Sequence, residues 1–189
     1  MKIIFIADFF AEDVLGGGEL NNEELISMLI QDGHEVLKIH SHKVTAQFIE
    51  SNASSRFIIA NFVNINKSLI PLFYDKKYVI YEHDHKYMVS RNPGVYDGFM
   101  APKDQLVNVD FYTKAQAVLC QSKFHLEIVK MNLEIDNLVN LSGNIWSKSS
   151  LDLMRRMAKK EKEDACSIMD SPIEHKNTRE AVYYCEHVR

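Results

Sequence analysis

Two clusters of residues in this sequence have types and spacings that suit chemistry. One is Glu82-His83-Asp84-His85, which follows the apolar run Tyr78–Tyr81. The other is Gly16-Gly17-Gly18-Glu19, which stands between an apolar run and a helical pattern. A histidine beside a carboxylate is suited to hydrogen bonding with hydroxyl groups or to proton transfer. Glycines before a helix let a ligand approach exposed N–H groups and the positive end of the helix dipole. These clusters predict a site for a sugar-like or negatively charged ligand.

The glycine segment does not fit the usual nucleotide motifs. Gly16-x-Gly18 matches the start of G-x-G-x-x-G, but the last position is Asn21. A dinucleotide site also needs an acid at the end of the second strand, where His40 stands. There is no G-K-[ST] sequence, which excludes a P-loop. A nicotinamide-dependent oxidoreductase is therefore a minor alternative, and a glycine turn without a ligand is another.

The remaining candidates are metal ligands and an arginine. His-x-His occurs at His83 and His85 and again at His40 and His42, but no third ligand cluster has recognisable spacing. We therefore predict no metal. The guanidinium of Arg91 suits a phosphate or a carboxylate, although an exposed loop arginine with no ligand explains it equally well.

Composition sets the class of protein. A chain of 189 residues, 46% hydrophobic and 25% charged, fits a globular protein of one domain or one domain plus part of another. The net charge of −4 gives no general reason to expect a nucleic-acid or anionic-membrane partner. Cys120, Cys166 and Cys185 are too widely spaced for a disulfide framework, so we expect a cytoplasmic location. The sequence opens directly on a strand pattern, without a secretory signal, and has no apolar run long enough for a membrane span.

Short apolar runs alternate with helical patterns along most of the chain. This alternation predicts an α/β fold with a doubly wound, Rossmann-like parallel sheet, whose ligands bind outside the carboxyl ends of the strands. Four segments should therefore gather at one edge: Gly16–Glu19, His40–His42, Asn61 and Glu82–His85. The predicted strands are Lys2–Ala7, Glu35–His40, Phe57–Asn61, Tyr78–Tyr81, Ala117–Cys120 and Leu138–Leu141, and the main predicted helices are Gly18–Gln31, Thr45–Asn52, Val107–Lys114 and Phe124–Met131.

The composition changes after Trp146, which predicts a domain of residues 1–146 followed by a second segment, 147–189. The second segment begins with a charged amphipathic helix over Ser147–Glu163, which we interpret as a linker. A strand at Ala165–Asp170, a loop at 171–177 and a helix at Thr178–His187 would then be an incomplete βα unit of a second domain.

The order of these motifs resembles the amino-terminal half of GT-B-type glycosyltransferases, of the retaining family-4 kind. The resemblance covers about residues 1–146. It rests on the strand Ile3–Ile6, Gly17-Gly18-Glu19 and Gly33-His34-Glu35-Val36. Tyr81–His85, followed by Arg91, is similar to the equivalent segment of phage DNA α-glucosyltransferases. In such enzymes the amino-terminal domain mainly holds a hydroxyl acceptor, and the second domain holds a nucleotide-sugar donor.

The resemblance implies a role for each candidate residue. Gly17, Gly18 and Glu19 would lie beside the donor phosphates or the transferred sugar. His83 would hydrogen-bond that sugar or shape the reacting centre, and Asp84 would orient the acceptor hydroxyl. Arg91 would contact the acceptor, and Lys176 would contact the donor phosphates. The resemblance implies no cofactor or metal, with a UDP- or GDP-sugar as a substrate and transfer with retention.

The resemblance also leaves most of a donor domain unaccounted for, including its E-x7-E segment. Either the sequence is a piece of a longer transferase or a second polypeptide supplies the donor half, and we expect the chain to be inactive alone. An unpartnered domain interface would favour a homo-oligomer. The alternative function is a non-enzymatic Rossmann-like binding or assembly module. The net charge of −4 argues mildly against duplex DNA as the acceptor.

Overall fold

The structure, a computed structural model, describes residues 1–170 and 177–187. In this part of the chain a six-stranded, all-parallel sheet has the order β2-β1-β3-β4-β5-β6. Helices flank the sheet, so the predicted Rossmann-like α/β fold is confirmed. The strands are β1 (Lys2–Ala7), β2 (Glu35–His40), β3 (Arg56–Ile59), β4 (Lys77–Glu82), β5 (Ala117–Cys120) and β6 (Leu138–Asn140).

The helices lie close to their predicted positions. They are α1 (Gly17–Gln31), α2 (Ala46–Ser51), α3 (Val109–Lys114), α4 (Lys123–Leu133), α5 (Lys148–Ala158) and α6 (Thr178–His187). Short 3-10 helices occupy Ser41–Lys43, Lys67–Phe73, Pro93–Val95, Asp97–Phe99 and Lys103–Gln105. The last three lie in the segment that joins β4 to α3, which is therefore a series of tight turns.

Local signals in the sequence explain where several helices begin and end. α1 ends before Gly33, whose φ of +80° is a conformation that glycine adopts at little cost. α4 begins after Ser122, whose hydroxyl oxygen accepts a hydrogen bond from the His125 amide at 3.1 Å. Thr45 caps α2 in the same way through the Phe48 amide.

The central strands of the sheet, β1, β3, β4 and β5, are largely buried, which explains their nearly continuous apolar sequences. In β1, every residue from Ile3 to Ala7 is buried. The larger of the hydrophobic clusters in the described residues includes Ile4, Phe57, Tyr78 and Phe111, and the smaller one joins Phe5, Ile26 and Tyr81. Burial of this apolar surface is the main force that fixes the register of the strands.

One predicted element does not form. Residues Ala165–Asp170 contain no strand, although Thr178–His187 is helical as predicted. A strand needs a neighbour to pair its backbone N–H and C=O groups, and the described chain brings none to this segment. The loop predicted at 171–177 lies outside the described residues except for Asn177.

The chain divides into two compact units, Met1–Ser147 and Lys148–Arg189. The sheet and both hydrophobic clusters named above belong to the first unit, and the second contains α5 and α6. None of the helices in the described residues has the length and apolar character needed to cross a membrane.

Candidate functional site

The carboxyl ends of the parallel strands bring the predicted segments to one edge of the sheet. Ala7 pairs with His40, and Glu82 pairs with Cys120, so the residues that follow these strands emerge side by side. Gly16–Glu19 follows β1, and His42 follows β2. Asn61 follows β3, and His83–His85 follows β4. Their predicted gathering at this edge is confirmed.

The glycine segment leaves the first turn of α1 open. Gly16 is extended and caps the helix without a side-chain hydrogen bond, and the helix starts at Gly17. A Cβ on Gly16 would meet the carboxylate of Glu19, whereas a Cβ on Gly17 or Gly18 would meet nothing within 4 Å. Of the three glycines, Gly17 and Gly18 therefore leave space in which a ligand can approach the backbone.

The second turn of α1 holds two buried asparagines that connect the helix to the edge of the sheet. The Asn21 side-chain oxygen accepts hydrogen bonds from the Tyr81 hydroxyl and the Ile145 amide, both at 3.0 Å. Asn21 and Asn22 are 3% and 0% exposed. These contacts fix the start of α1 against the end of β4 and against the chain that follows β6.

The ring of His83 is held between α1 and the residue that follows β5. The Gln121 side-chain nitrogen donates to Nδ1 at 2.8 Å, so Nε2 carries the proton and donates to the Asn22 oxygen at 3.1 Å. Burial, reinforced by the positive charge of Lys86, lowers the pKa of His83 from 6.5 to about 4. The imidazole is therefore neutral at neutral pH, with a fixed tautomer. Among the described residues, the buried Asn22 Nδ2 has no hydrogen-bond partner.

Asp84 is exposed at this edge. Its backbone N–H donates to Glu82 Oε1 at 2.8 Å, which fixes the turn after β4. Its own carboxylate makes no hydrogen bond or ion pair with the residues that the structure describes. The carboxylate is therefore available to accept a hydrogen bond from a ligand.

Glu82 lies on the other side of β4 from His83 and is completely buried. Its carboxylate accepts hydrogen bonds from the Lys86 ammonium at 3.0 Å and from the Tyr112 hydroxyl. Burial alone would raise the pKa of Glu82, but the Lys86 charge and these hydrogen bonds lower it to about 2. Glu82 therefore stays ionised and holds its neighbours in place, so it is a structural group here and not a proton donor.

His85 and His125 form a pair of neutral imidazoles. Their ring centroids are 4.5 Å apart, and His85 Nδ1 lies 2.8 Å from the Tyr87 hydroxyl. Burial, followed by the nearby His125, lowers the pKa of His85 to about 4. His83 and His85 thus have different neighbours. Within the described residues, no group of three or more His, Cys, Asp or Glu side chains is arranged to hold a metal ion.

Arg91 lines a cavity of about 240 Å³, which Lys86, the partner of Glu82, also lines. The arginine is exposed, and its φ of +52° places it in a tight turn after β4. Lys67 and Lys86 also line this cavity, among apolar side chains. The structure therefore places Arg91 beside the cations Lys67 and Lys86. The last candidate, Lys176, lies outside the described residues.

Sequence reasoning missed the residues that hold the candidates in place. Asn22, Gln121 and Lys86 were not singled out, although they contact His83 or Glu82. The sequence did carry a signal for Gln121, because it directly follows β5 as His83 directly follows β4, and the two strands are neighbours in the sheet. The asparagines had a weaker signal, since polar residues in a helix ordinarily face solvent.

Comparison with known proteins gives two results. No family model and no curated protein matches the chain. Among solved structures, it is similar to an alpha-glucosyltransferase in complex with UDP and a 13-mer DNA containing an HMU base, with 15% identity and a TM-score of 0.45 over 74% of this chain and 41% of that one. An alpha-glucosyltransferase in complex with UDP and a 13-mer DNA containing a central A:G mismatch has 14% identity and a TM-score of 0.40, over 65% of this chain and 37% of that one. The chain thus spans about two fifths of the length of these structures.

Proposed function

We propose that this chain is the acceptor side of a glycosyltransferase that moves a sugar from a UDP- or GDP-sugar to a hydroxyl group with retention. In this proposal Gly17, Gly18 and Glu19 contact the donor phosphates or the transferred sugar. His83 shapes the reacting centre by holding Asn22 and Gln121, and Asp84 orients the acceptor hydroxyl. Lys176 contacts the donor phosphates. The rest of the donor site comes from further chain or from a second polypeptide.

One observation carries the proposal: a neutral, oriented His83 joined through Asn22 to the helix whose first turn is open. An imidazole with a pKa of about 4 is neutral at neutral pH, and both nitrogens of the His83 ring are already hydrogen-bonded, so the ring fixes Asn22 and Gln121 at the edge of the site. Open glycines at the start of α1 offer backbone N–H groups and a positive helix end to a diphosphate. Together these features suit a nucleotide sugar better than a small metal-bound substrate.

Amide chemical shifts of the 15N-labelled chain test this proposal directly. We expect UDP-glucose or GDP-glucose to shift the amide signals of Gly16–Glu19 and the ring signals of His83. Gly18→Ala should weaken this binding, because its Cβ enters the open space that the ligand needs. Gln31→Ala, at the far end of α1, is the control. Stronger binding of NAD+ would favour the oxidoreductase alternative, and no shift with any of these nucleotides would contradict the proposal.

Turnover provides the second test, in a preparation that contains the donor half. We expect His83→Ala to lower kcat at least about tenfold with the fold intact, because Asn22 and Gln121 lose the ring that positions them and misplaced groups at a reacting centre cost at least that much. His83→Gln, which keeps a side-chain hydrogen-bonding group, should retain more activity. EDTA should have no effect. Kinetics that are the same for His83→Ala and the natural sequence would exclude the role assigned to His83.

A further inference from the structure

The cavity beside Arg91 has the composition of a binding site for an anion attached to an apolar group. Three cations line it, Lys67, Lys86 and Arg91, and none of the described residues that line it is acidic. The other lining residues are mainly apolar: Phe62, Val63, Ile65, Ile70, Met88, Val89 and Val107. A ligand here would meet positive charge and apolar surface together.

Lys86 supplies a built, buried part of this site. It is 3% exposed, and its ammonium lies 5.7 Å from the centre of the Phe62 ring. Glu82 accepts one hydrogen bond from it at 3.0 Å, and the described residues provide no other acceptor. A lysine ammonium has three N–H donors, and buried donors are normally satisfied. The remaining donors of Lys86 therefore favour an acceptor oxygen in the cavity that Lys86 lines.

Lys67 and Arg91 add charge that no protein group neutralises. Both are exposed, and within the described residues neither side chain makes an ion pair or a hydrogen bond. Arg91 presents a planar guanidinium that binds two oxygens of a phosphate or carboxylate at once. Its turn is fixed, because the Arg91 amide donates to the Met88 carbonyl at 3.2 Å. The two side chains are therefore free to bind an anion at the cavity.

The size of the cavity favours a small molecule. It has a volume of about 240 Å³, and a second cavity of about 350 Å³ shares Lys67, Ile70 and Asn108 with it. Sites for drug-sized molecules have volumes of roughly 300–1,000 Å³ and mostly apolar walls, so a cavity of this volume suits a smaller molecule. Nucleic-acid sites instead present basic stripes over wide surfaces.

We propose that this cavity binds a small molecule in which a phosphate or carboxylate is attached to an apolar group. Lys67, Lys86 and Arg91 bind the anion, and the apolar part packs on Ile65, Ile70 and Met88. This molecule would be the sugar acceptor, and that assignment rests on the proposed function. The prediction that the cavity binds such a molecule does not depend on the proposed function.

The test uses phenyl phosphate, benzoate and phenol as probes of the 15N-labelled full chain. We expect phenyl phosphate or benzoate to shift the amide signals of Val63 and Val89, and the tighter of the two identifies the anion. Phenol, which lacks the charge, should bind at least tenfold more weakly. Higher salt should weaken binding of the anionic probes.

Substitutions locate the site. Lys67→Gln and Arg91→Gln should each weaken binding of the anionic probe about tenfold, since each removes a charge-assisted hydrogen bond. The controls are Lys77→Gln and Arg56→Gln. These exposed residues are the first of β4 and β3, at the end of each strand away from the cavity. Both should leave binding unchanged.

Three results would overturn the inference: phenol that binds as tightly as the anions, no effect of Lys67→Gln and Arg91→Gln, or a duplex oligonucleotide that shifts these amides when the small anions do not. The two proposals can fail separately. If the anions do not bind but UDP-glucose shifts Gly16–Glu19, only this inference is wrong. If the anions bind and no nucleotide sugar does, the cavity assignment stands and the proposed function fails.

Discussion

At the residue scale, the end of β4 is held by the buried ion pair Glu82–Lys86. Both side chains are at most 2% exposed and lie 3.0 Å apart. Glu82→Gln would leave the Lys86 ammonium buried without its counter-charge. Breaking such a pair costs about 3–5 kcal/mol, so we expect that loss in the free energy of unfolding, measured by urea denaturation.

The exposed pair Lys123–Glu127 has the same four-residue spacing and provides a matched control. Glu127→Gln should change the free energy of unfolding by no more than about 0.5 kcal/mol. Combining Glu82→Gln with Lys86→Met removes both charges and should recover part of the loss. A cost for Glu82→Gln below about 1 kcal/mol would show that the pair does not support this part of the fold.

The neutral histidines make stability depend on pH. The pKa of His83 and of His85 is lowered from 6.5 to about 4, so between these values the unfolded chain binds protons that the folded chain does not. The stability that the two neutral histidines contribute is therefore fully present above about pH 6.5 and is lost as the pH falls toward 4. We expect a loss of about 1–2 kcal/mol per histidine between pH 7 and pH 5, measured by urea denaturation.

Two substitutions separate this effect from general acid sensitivity. His83→Gln should reduce the loss between pH 7 and pH 5, whereas His42→Gln, at an exposed position, should not. The pKa of Glu82 is about 2 in the folded chain and near 4.5 in the unfolded chain, so Glu82 adds to the loss of stability only below about pH 4.5. If His83→Gln keeps the full pH dependence of the natural sequence, burial of His83 in its neutral form is not the cause.

The limits of sequence reasoning about the site are also visible at the residue scale. His83 and Asp84 could be chosen because residue type and a position after a strand are both local properties. Asn22 and Gln121, which hold the His83 ring, are 61 and 38 positions away from it. Nothing in a local pattern joins them, because their proximity depends on the order of strands in the sheet.

At the scale of elements, Asn21 is the anchor that holds α1 to the sheet. Asn21→Ala would leave the Tyr81 hydroxyl and the Ile145 amide without their acceptor. Unpaired buried donors cost about 1–3 kcal/mol each, so we expect a loss of about 2–4 kcal/mol in the free energy of unfolding. Hydrogen exchange of the Ile145 amide should also become faster. Gln31→Ala, exposed on the same helix, should change neither measurement, and slow exchange of Ile145 in Asn21→Ala would contradict the anchor.

The elements themselves could be predicted well where local chemistry decides them. β1, β2 and β5 have the bounds expected from their apolar runs, and Gly33 and Ser122 mark helix ends by their own conformation or hydrogen bonds. The same reasoning fails at Ala165–Asp170, which forms no strand. A strand is stable only beside another strand, and a sequence pattern does not show whether that neighbour is present.

At the scale of the whole molecule, the sheet edge divides into two chemically different surfaces. The groups that contact the His83 ring, Asn22 and Gln121, are neutral, and burial keeps the ring itself uncharged. Around Arg91 the groups are cationic, although the chain as a whole carries −4. Net charge therefore says little about the ligands of this edge, because local groups set the potential in a cavity.

The unit Met1–Ser147 should fold by itself, because the sheet and both named hydrophobic clusters lie within it. We expect a chain that ends at Ser147 to unfold cooperatively in urea, within about 1 kcal/mol of the full chain. A chain that ends at Glu134 is the contrasting variant, since it loses β6 and the Asn137 side chain, which donates to the Tyr112 and Ala115 carbonyls at 3.0 and 2.7 Å. That chain should lose several kcal/mol, since buried carbonyls lose their donors. If the chain ending at Ser147 is destabilised as strongly as the shorter one, residues 148–189 contribute to the stability of the first unit, and the sheet does not fold independently.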